Sequence, residues 1–146
     1  MDLFISTYTL KIDDKGRVSV PSAYRSIIQN KAEKIYGYTS FNHQCIEVYT
    51  TKRLELIKGY IENLDLFSQA RDTLSTAVLA SSEELNMDAK GRIMLPEFFI
   101  DHANLKGEVL FAGKGQTFEI WNKENFLPYY EKARKDIKQN GFNKGE

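Results

Sequence analysis

Two short stretches of the chain carry the same arrangement, Asp-x-Lys-Gly-Arg, at residues 13–17 and 88–92. Glycine is the residue that most readily adopts the positive φ of a tight turn. Lysine can reach a phosphate as a point charge, whereas the fork of arginine fits a phosphate or the O6/N7 edge of a guanine. The aspartate, four residues before the arginine, can accept hydrogen bonds from the turn or orient the arginine. These residue types indicate nucleic-acid binding.

A single copy of this motif is more simply explained as an ordinary hairpin turn whose arginine pairs with the aspartate at the surface. Such a turn requires the aspartate and the glycine, but it requires neither the lysine nor the arginine. Recurrence of all four residue types therefore favours a binding role. We predict that the DNA contacts are made by Arg17, Lys15, Arg92 and Lys90, and that the turns are shaped by Asp13, Gly16, Asp88 and Gly91.

The two copies differ in charge. Residues 10–25 hold four cations and two carboxylates, a net charge of +2, whereas residues 85–100 hold two of each, a net charge of zero. Arg25 is one of the cations of the first copy, and the equivalent position in the second copy is the uncharged Ile100. On this count the first copy should dominate phosphate binding. Arg17→Ala is therefore expected to abolish specific binding, and Arg92→Ala to weaken it less.

The elements that position the turns also repeat. Residues 10–21 align with 85–96 at an offset of 75, and residues 45–49 align with 117–121 at an offset of 72. Alternating apolar residues predict a strand on either side of each turn, and a proline then begins a short helix. The predicted helices are 22–29 and 97–103, and the strands that follow are 34–40, 45–49, 107–112 and 117–121.

Each unit is expected to end in a helix. In the first, Thr50 or Thr51 is the expected N-cap, and an apolar stripe is formed by Leu54, Ile57, Tyr60, Ile61 and Leu64. A helix over 66–80 should link the units, and a last helix over 123–138, capped by Asn122, should be kinked or delayed by Pro128. Residues 139–146 are expected to be disordered. The predicted division is 4–51, 52–81, 82–123 and 124–146.

Bulk composition excludes several classes of protein. With 42% hydrophobic and 27% charged residues among 146, the chain has globular composition. It has no apolar run of roughly 18 residues, so we expect no membrane span. The first residues have neither a basic segment nor a long apolar stretch, so we expect no secretory signal and a cytoplasmic location. Twenty cations balance twenty anions, so any DNA contact must come from a local patch.

No catalytic, metal or cofactor site is evident. Cys45 is the single cysteine and has no partner at zinc-ligand spacing, so a small core residue is the preferred interpretation. His43 and His102 occupy non-equivalent positions. Glu47 and Glu119 coincide in the repeat, which more often reflects a shared structural contact than an acid/base pair. We therefore expect no enzyme activity, no cofactor and no small-molecule substrate.

The two turn blocks, together with the Phe-Glu-Ile-Trp block at 118–121, resemble the bacterial MraZ family over about residues 4–130. The resemblance implies an α+β, β-rich fold. In it, two tandem SpoVT/AbrB-type swapped-hairpin units form a pseudo-dimeric, double-psi-like β-barrel with flanking helices. It further implies a nucleoid-associated regulator, expected to be a repressor, that forms a ring-shaped homo-oligomer. Such a regulator binds direct repeats in double-stranded promoter DNA of the division and cell-wall gene cluster. By this resemblance, the Asp-x-x-x-Arg turns bind DNA, and Arg25, which follows the first proline, assists them.

Two alternatives remain open. The same fold could serve as an antitoxin-like partner-binding module, in which case segment 122–146 should capture a toxin. A small hydrolase is the third candidate, and a deep pocket around Glu47 and Glu119 would be its signature.

Overall fold

The computed structural model describes residues 2–141. This part of the chain folds into strands and helices in two similar runs. The strands are β1 Thr7–Ile12, β2 Arg17–Ser19, β3 Ile35–Thr39, β4 Cys45–Thr50, β5 Glu83–Leu85, β6 Arg92–Met94, β7 Gly107–Gly113 and β8 Thr117–Asn122. The helices are α1 Ser22–Asn30, α2 Thr51–Glu62, α3 Gln69–Leu74, α4 Glu97–Ala103 and α5 Lys123–Asn140, with a π-helical segment at Ser75–Leu79.

The strands form one antiparallel sheet in the order β5-β3-β4-β8-β7-β1-β2-β6. The sheet curls so that its two edge strands, β5 and β6, are joined through the turn between them, in which the Asp88 N–H donates to the Arg92 carbonyl at 2.8 Å. The result is a nearly closed β-barrel flanked by helices. The predicted α+β fold of two tandem units is confirmed.

The two units exchange strands. β1 pairs along its whole length with β7 of the second unit, whereas Ile12↔Val18 is the one pair in register between β1 and β2. β5 correspondingly pairs with β3 of the first unit. β4 pairs with β8, and β2 pairs with β6. This pattern relates the two units by an approximate two-fold axis, so neither unit has a complete sheet of its own.

The barrel interior is filled by the inward-facing residues of all the strands and by the short helices that follow the prolines. Aromatic rings dominate it, because Phe4, Tyr24, Phe111 and Phe118 pack together with centroid separations of 5.0 to 6.4 Å. Tyr24 also donates its hydroxyl to a main-chain carbonyl at 2.7 Å. Burial of this many rings, each worth several kcal/mol against truncation, holds the exchanged strands together.

Several helix predictions are corrected by the structure. Thr50, one of the two predicted positions, is the N-cap residue of α2, but its side chain makes no cap hydrogen bond, and Glu33 instead accepts from the Lys52 N–H at 3.0 Å. In the predicted apolar stripe, Tyr60 is exposed. The linking segment is not one helix from 66, because Ser68 caps α3 by accepting from the Arg71 N–H, so the helix begins at residue 69.

The last helix confirms the predicted start at residue 123 and the cap by Asn122, but not the predicted delay at Pro128. α5 begins at Lys123 without delay, because the Asn122 side chain accepts from the N–H groups of Glu124 and Asn125. Pro128 lies inside the helix, where it removes one main-chain hydrogen bond without ending it. Residues 139 and 140, expected to be disordered, belong to the helix. The rest of that prediction, over 142–146, lies outside the described residues.

Candidate nucleic-acid interface

The first turn is built by its aspartate. Asp13 Oδ1 accepts from the main-chain N–H groups of Lys15 and Arg17, both at 2.9 Å. Its Oδ2 accepts from Arg17 Nε at 2.8 Å. Gly16 completes the turn with a φ of +85°, a value that a side chain would strain. Both functions proposed for the aspartate from sequence are therefore present at once.

The second turn repeats this geometry atom for atom. Asp88 Oδ1 accepts from Lys90 N–H and Arg92 N–H at 2.9 Å each, and its Oδ2 accepts from Arg92 Nε at 2.9 Å. Gly91 has a φ of +80°. Main-chain hydrogen bonds from Arg17 and Arg92 lower the pKa values of Asp13 and Asp88, respectively, so both carboxylates stay charged near neutral pH.

The two turns lie at opposite ends of one two-stranded ribbon. β2 and β6 pair antiparallel, with Arg17 opposite Met94 and Ser19 opposite Arg92. Each turn is tied to the other unit's strand, since Gly16 O accepts from Leu95 N–H and Gly91 O accepts from Val20 N–H, both at 2.9 Å. Val18 and Ile93, which point to the other face of the ribbon, are buried in the barrel. The arginine-bearing face therefore points outward.

Arg17 and Arg92 form one patch on that face. They are diagonal neighbours across the ribbon, a relation that places two residues roughly 7–8 Å apart. Nε of each arginine is held by its aspartate, and no other described residue accepts from the rest of the guanidinium. Lys15 and Lys90, one in each turn, are exposed and form no salt bridge within residues 2–141. Two arginines thus share one surface, and an exposed lysine lies in the turn beside each of them.

Arg25 lies beside the second turn, although the first copy carries it. A Cβ built on Gly91 would fall 2.5 Å from Arg25 Cδ and 2.6 Å from its Nη1, so the arginine side chain covers the Gly91 turn. Its counterpart Ile100 covers Gly16 in the same way, with Cδ1 at 2.9 Å from a Cβ built there. Each post-proline helix therefore packs on the turn of the other unit.

This exchange removes the basis for the predicted dominance of the first copy. Without Arg25, residues 10–20 hold three cations against two carboxylates, and residues 85–95 hold two against one, a net charge of +1 in each. Arg25 then adds its charge to the second turn. Assigning charge by sequence proximity was wrong, because sequence neighbours of one turn are spatial neighbours of the other.

The sequence interpretation missed two residues of this face. Ser19 and Met94 occupy equivalent positions in the repeat and lie between the arginines, where their side chains share the outward face. Met94 is 58% exposed. The alternation of β2 and β6 contained the signal, since residues two apart on a strand share a face.

Glu47 and Glu119 are directly opposite each other on β4 and β8, but each has its own partners. Glu119 accepts from Trp121 Nε1 at 2.9 Å and pairs with Lys114 Nζ at 3.4 Å. Glu47 accepts from the Tyr38 hydroxyl at 3.1 Å and lines a cavity of about 330 Å³ beneath α2, which Glu119 does not line. The two carboxylates thus have the structural contacts that were preferred from sequence.

Cys45 and the histidines lie away from the turns. Cys45 is buried with Ala112 and Trp121, and burial raises the pKa of its thiol. His43 and His102 do meet, through a contact of 3.2 Å between the His102 ring and the His43 carbonyl, but this joins a ring to the main chain. Among residues 2–141, no three His, Cys, Asp or Glu side chains are grouped closely enough to hold a metal ion.

Among the helices of the described chain, none combines the length and the apolar character that crossing a membrane requires.

Comparison with known proteins identifies relatives over nearly the whole chain. The family model described as MraZ protein, antitoxin-like, matches residues 3–76 and 78–142. A protein of Pelagibacter ubique named transcriptional regulator MraZ is 41% identical over 139 residues, which cover 94% of this chain and 90% of the relative. Proteins of the same name from Rickettsia canadensis and Rickettsia bellii are 37% and 38% identical, each over 92% of this chain and 91% of the relative.

Proposed function

The chain belongs to the MraZ family, and on this premise we propose that it is a sequence-specific, DNA-binding transcription regulator. The ribbon of β2 and β6 is the proposed reading element. The observation that carries this proposal is the pair of identical Asp-x-Lys-Gly-Arg turns, whose arginines are oriented on one outward face. The names of the relatives support the same function.

A two-stranded ribbon fits the major groove of B-DNA, which is about 12 Å wide. In the proposed complex, the Nη groups of Arg17 and Arg92 contact guanine O6 and N7, because Nε of each is already held by an aspartate. Lys15, Lys90 and Arg25 contact the phosphates that border the groove. Preorganisation by Asp13 and Asp88 lowers the entropy that each arginine loses on binding.

A chain of zero net charge needs several copies on one DNA to bind well, and we propose a ring-shaped homo-oligomer that supplies them. A closed ring requires two different complementary surfaces on each subunit. Two exposed apolar surfaces are available. One is formed by α2 and the loop after it, with Leu56, Tyr60, Leu66 and Phe67, and the other by α5, with Leu127, Tyr130 and Ile137.

The oligomer is tested by light-scattering mass. Phe67, 95% exposed, is the most accessible large apolar side chain of the described residues. Phe67→Asp should shift the mass from oligomer toward monomer, because a charge would be buried at the contact. Phe98→Ser, which alters an exposed ring on α4 outside both surfaces, is the matched control and should leave the mass unchanged. A wild-type monomer at micromolar concentration would refute the ring.

The finer assignment is also a proposal, and the resemblance to the family supports it. We propose that the protein acts in the cytoplasm on the nucleoid as a repressor. Its proposed targets are direct repeats in the promoter of the division and cell-wall gene cluster. With the turn residues as the proposed DNA contacts, successive subunits of a ring would meet successive repeats in the same orientation.

The decisive experiment is genome-wide DNA capture with the wild-type protein and with the Arg17→Ala/Arg92→Ala double variant. The wild type should enrich one promoter with regularly spaced repeats, and the double variant should enrich none. Transcript levels in a deletion strain then separate repression from activation. Equal enrichment by both proteins would refute the role of the turns.

An antitoxin-like module is the second candidate, and the exposed apolar residues of α5 are the observation that favours it. A toxin bound there would co-purify in equal amounts with the wild type, and Leu127→Ser should release it. Purification without a partner, together with sequence-specific DNA binding, would rule against this candidate.

A further inference from the structure

The ribbon face carries one pair of equivalent positions at which the two units differ in chemistry. Ser19 and Met94 are related by the offset of 75, as are Arg17 and Arg92, which flank them on the same face. The arginines, their lysines, their aspartates and their glycines match between the units. At the other two outward positions of the face, however, one unit offers a hydroxyl and the other a thioether.

Met94 is an apolar side chain among four outward-facing positions whose other three residues are Arg17, Ser19 and Arg92. It is 58% exposed and lies directly opposite Arg17 on the neighbouring strand, which brings their Cβ atoms to about 4.5–5.5 Å. Its buried neighbour Ile93 supplies the contact with the core, so packing within the subunit does not explain Met94. A flexible thioether at this place is suited to an apolar partner that arrives with the ligand.

Major-groove base edges present one apolar group, the C5-methyl of thymine. We propose that Met94 is a specificity-determining residue that packs on a thymine methyl beside the guanine contacted by Arg17. This inference rests on the proposed DNA-binding function. At the equivalent place in the other half of the face, Ser19 offers a hydroxyl that can hydrogen-bond to any base.

The difference has a consequence for orientation. A two-fold symmetric ribbon binds a site equally well in both directions, so it cannot determine which way a subunit lies on the DNA. The Met94/Ser19 pair breaks that symmetry at the base edges. Each subunit then has one preferred direction on its repeat, so all subunits of the proposed ring can lie the same way along a series of direct repeats.

The test begins by selecting duplexes from a random pool with the wild-type protein. Each thymine of the selected site is then replaced singly by deoxyuridine, which removes the methyl and leaves the base pair intact. Replacement of one particular thymine in each repeat should lower the wild-type affinity about fourfold, the factor that corresponds to burial of one methyl group. Met94→Ala should bind the duplex with thymine and the duplex with deoxyuridine equally, whereas Met94→Leu should retain the preference for thymine.

A symmetrised variant supplies an independent readout. Met94→Ser makes the two halves of the face alike. The sequence that this variant selects for each subunit should therefore lack the thymine and be closer to its own reverse complement. Affinity for random duplex should not change, because the phosphate contacts remain. Since Met94 is largely exposed, the thermal midpoint and the oligomer mass should also stay at wild-type values.

The results separate this inference from the function on which it rests. If Met94→Ala loses the same affinity as wild type when each methyl is removed, or if Met94→Ala lowers the oligomer mass, the role of Met94 is refuted. If Arg17→Ala still weakens binding to the selected duplex more than to a random duplex in that case, the DNA-binding function stands. If the wild type selects no sequence at all, both are refuted.

Discussion

The equivalence of the two turns can be tested with single arginine variants. Arg17 and Arg92 have the same aspartate contacts to within 0.1 Å, and they share one face of the ribbon. A bidentate contact between arginine and guanine contributes about 1–3 kcal/mol of discrimination, which corresponds to about 5- to 150-fold in affinity. Arg17→Ala and Arg92→Ala should each cost a factor in this range, and the two factors should agree within about threefold.

Fluorescence anisotropy on the selected duplex and on a random duplex gives the two affinities that this comparison needs. Both variants should lose affinity for the selected duplex much more than for the random one. Arg25→Ile, which copies the residue at the equivalent position, is the contrasting variant. It should weaken both duplexes similarly and reduce the slope of log K against log salt by about 0.9, the value for one phosphate contact.

The reasoning would be refuted if Arg92→Ala bound within twofold of wild type while Arg17→Ala abolished specific binding. That outcome would restore the ranking expected from charge along the sequence. It would also mean that Arg25, although it covers the Gly91 turn, contributes no useful charge there.

Three further predictions concern the supporting structure. Gly91→Ala should destabilise the fold by about 1–2 kcal/mol in thermal unfolding, because the φ of Gly91 is positive and a Cβ would lie 2.5 Å from Arg25 Cδ. Gly59→Ala is the control on the exposed helix α2, where a Cβ meets no other atom, and it should stabilise the fold by about 0.5–1 kcal/mol. Asp13 and Asp88 have lowered pKa values, so their contribution to stability is complete above about pH 4 and is lost as the pH falls through the folded-state pKa. The difference in Tm between the wild type and the double variant Asp13→Asn/Asp88→Asn should therefore be constant from about pH 5 to 8 and shrink below about pH 4. A difference that shrinks near about pH 6 would contradict this. Tyr24→Phe removes a hydroxyl that donates at 2.7 Å and should cost about 0.5–1.5 kcal/mol with no loss of DNA affinity, so a selective loss of affinity would assign Tyr24 a different role.

Local chemistry was readable from the sequence, but strand partners were not. The Asp-x-Lys-Gly-Arg motif predicted the turn, the glycine conformation and both roles of the aspartate, because all of these involve residues within five positions. Pro96 likewise marked the start of α4, whose bounds match the prediction. By contrast, alternation in β1 indicates which face is buried but not which strand lies beside it. The pairing of β1 with β7 therefore could not be read from the residues alone, although the resemblance to the MraZ family implied swapped hairpins.

Within the candidate site, the positions of Arg25 and Met94 also depend on strand pairing that the sequence does not reveal. Arg25 was identified as a DNA-binding candidate, but its assignment to the first turn failed, since the exchange carries α1 to the opposite turn. Met94 was not singled out from sequence, although its alternation with the buried Ile93 and Leu95 indicates an outward face. Its place opposite Arg17 follows from the pairing of β2 with β6, and a pairing between residues so far apart in the chain leaves no local trace in the sequence.

The pairing of β1 with β7 also governs when this protein can fold during its synthesis. Residues 7–12 leave the ribosome about 100 residues before their partners at 107–112. At about 5–20 residues per second, β1 waits on the order of 5–20 s with its main-chain donors and acceptors unpaired. The nascent chain therefore offers an open strand edge to chaperones or to neighbouring nascent chains until β7 has emerged. The barrel cannot close before that point, so the yield of folding should depend on the elongation rate.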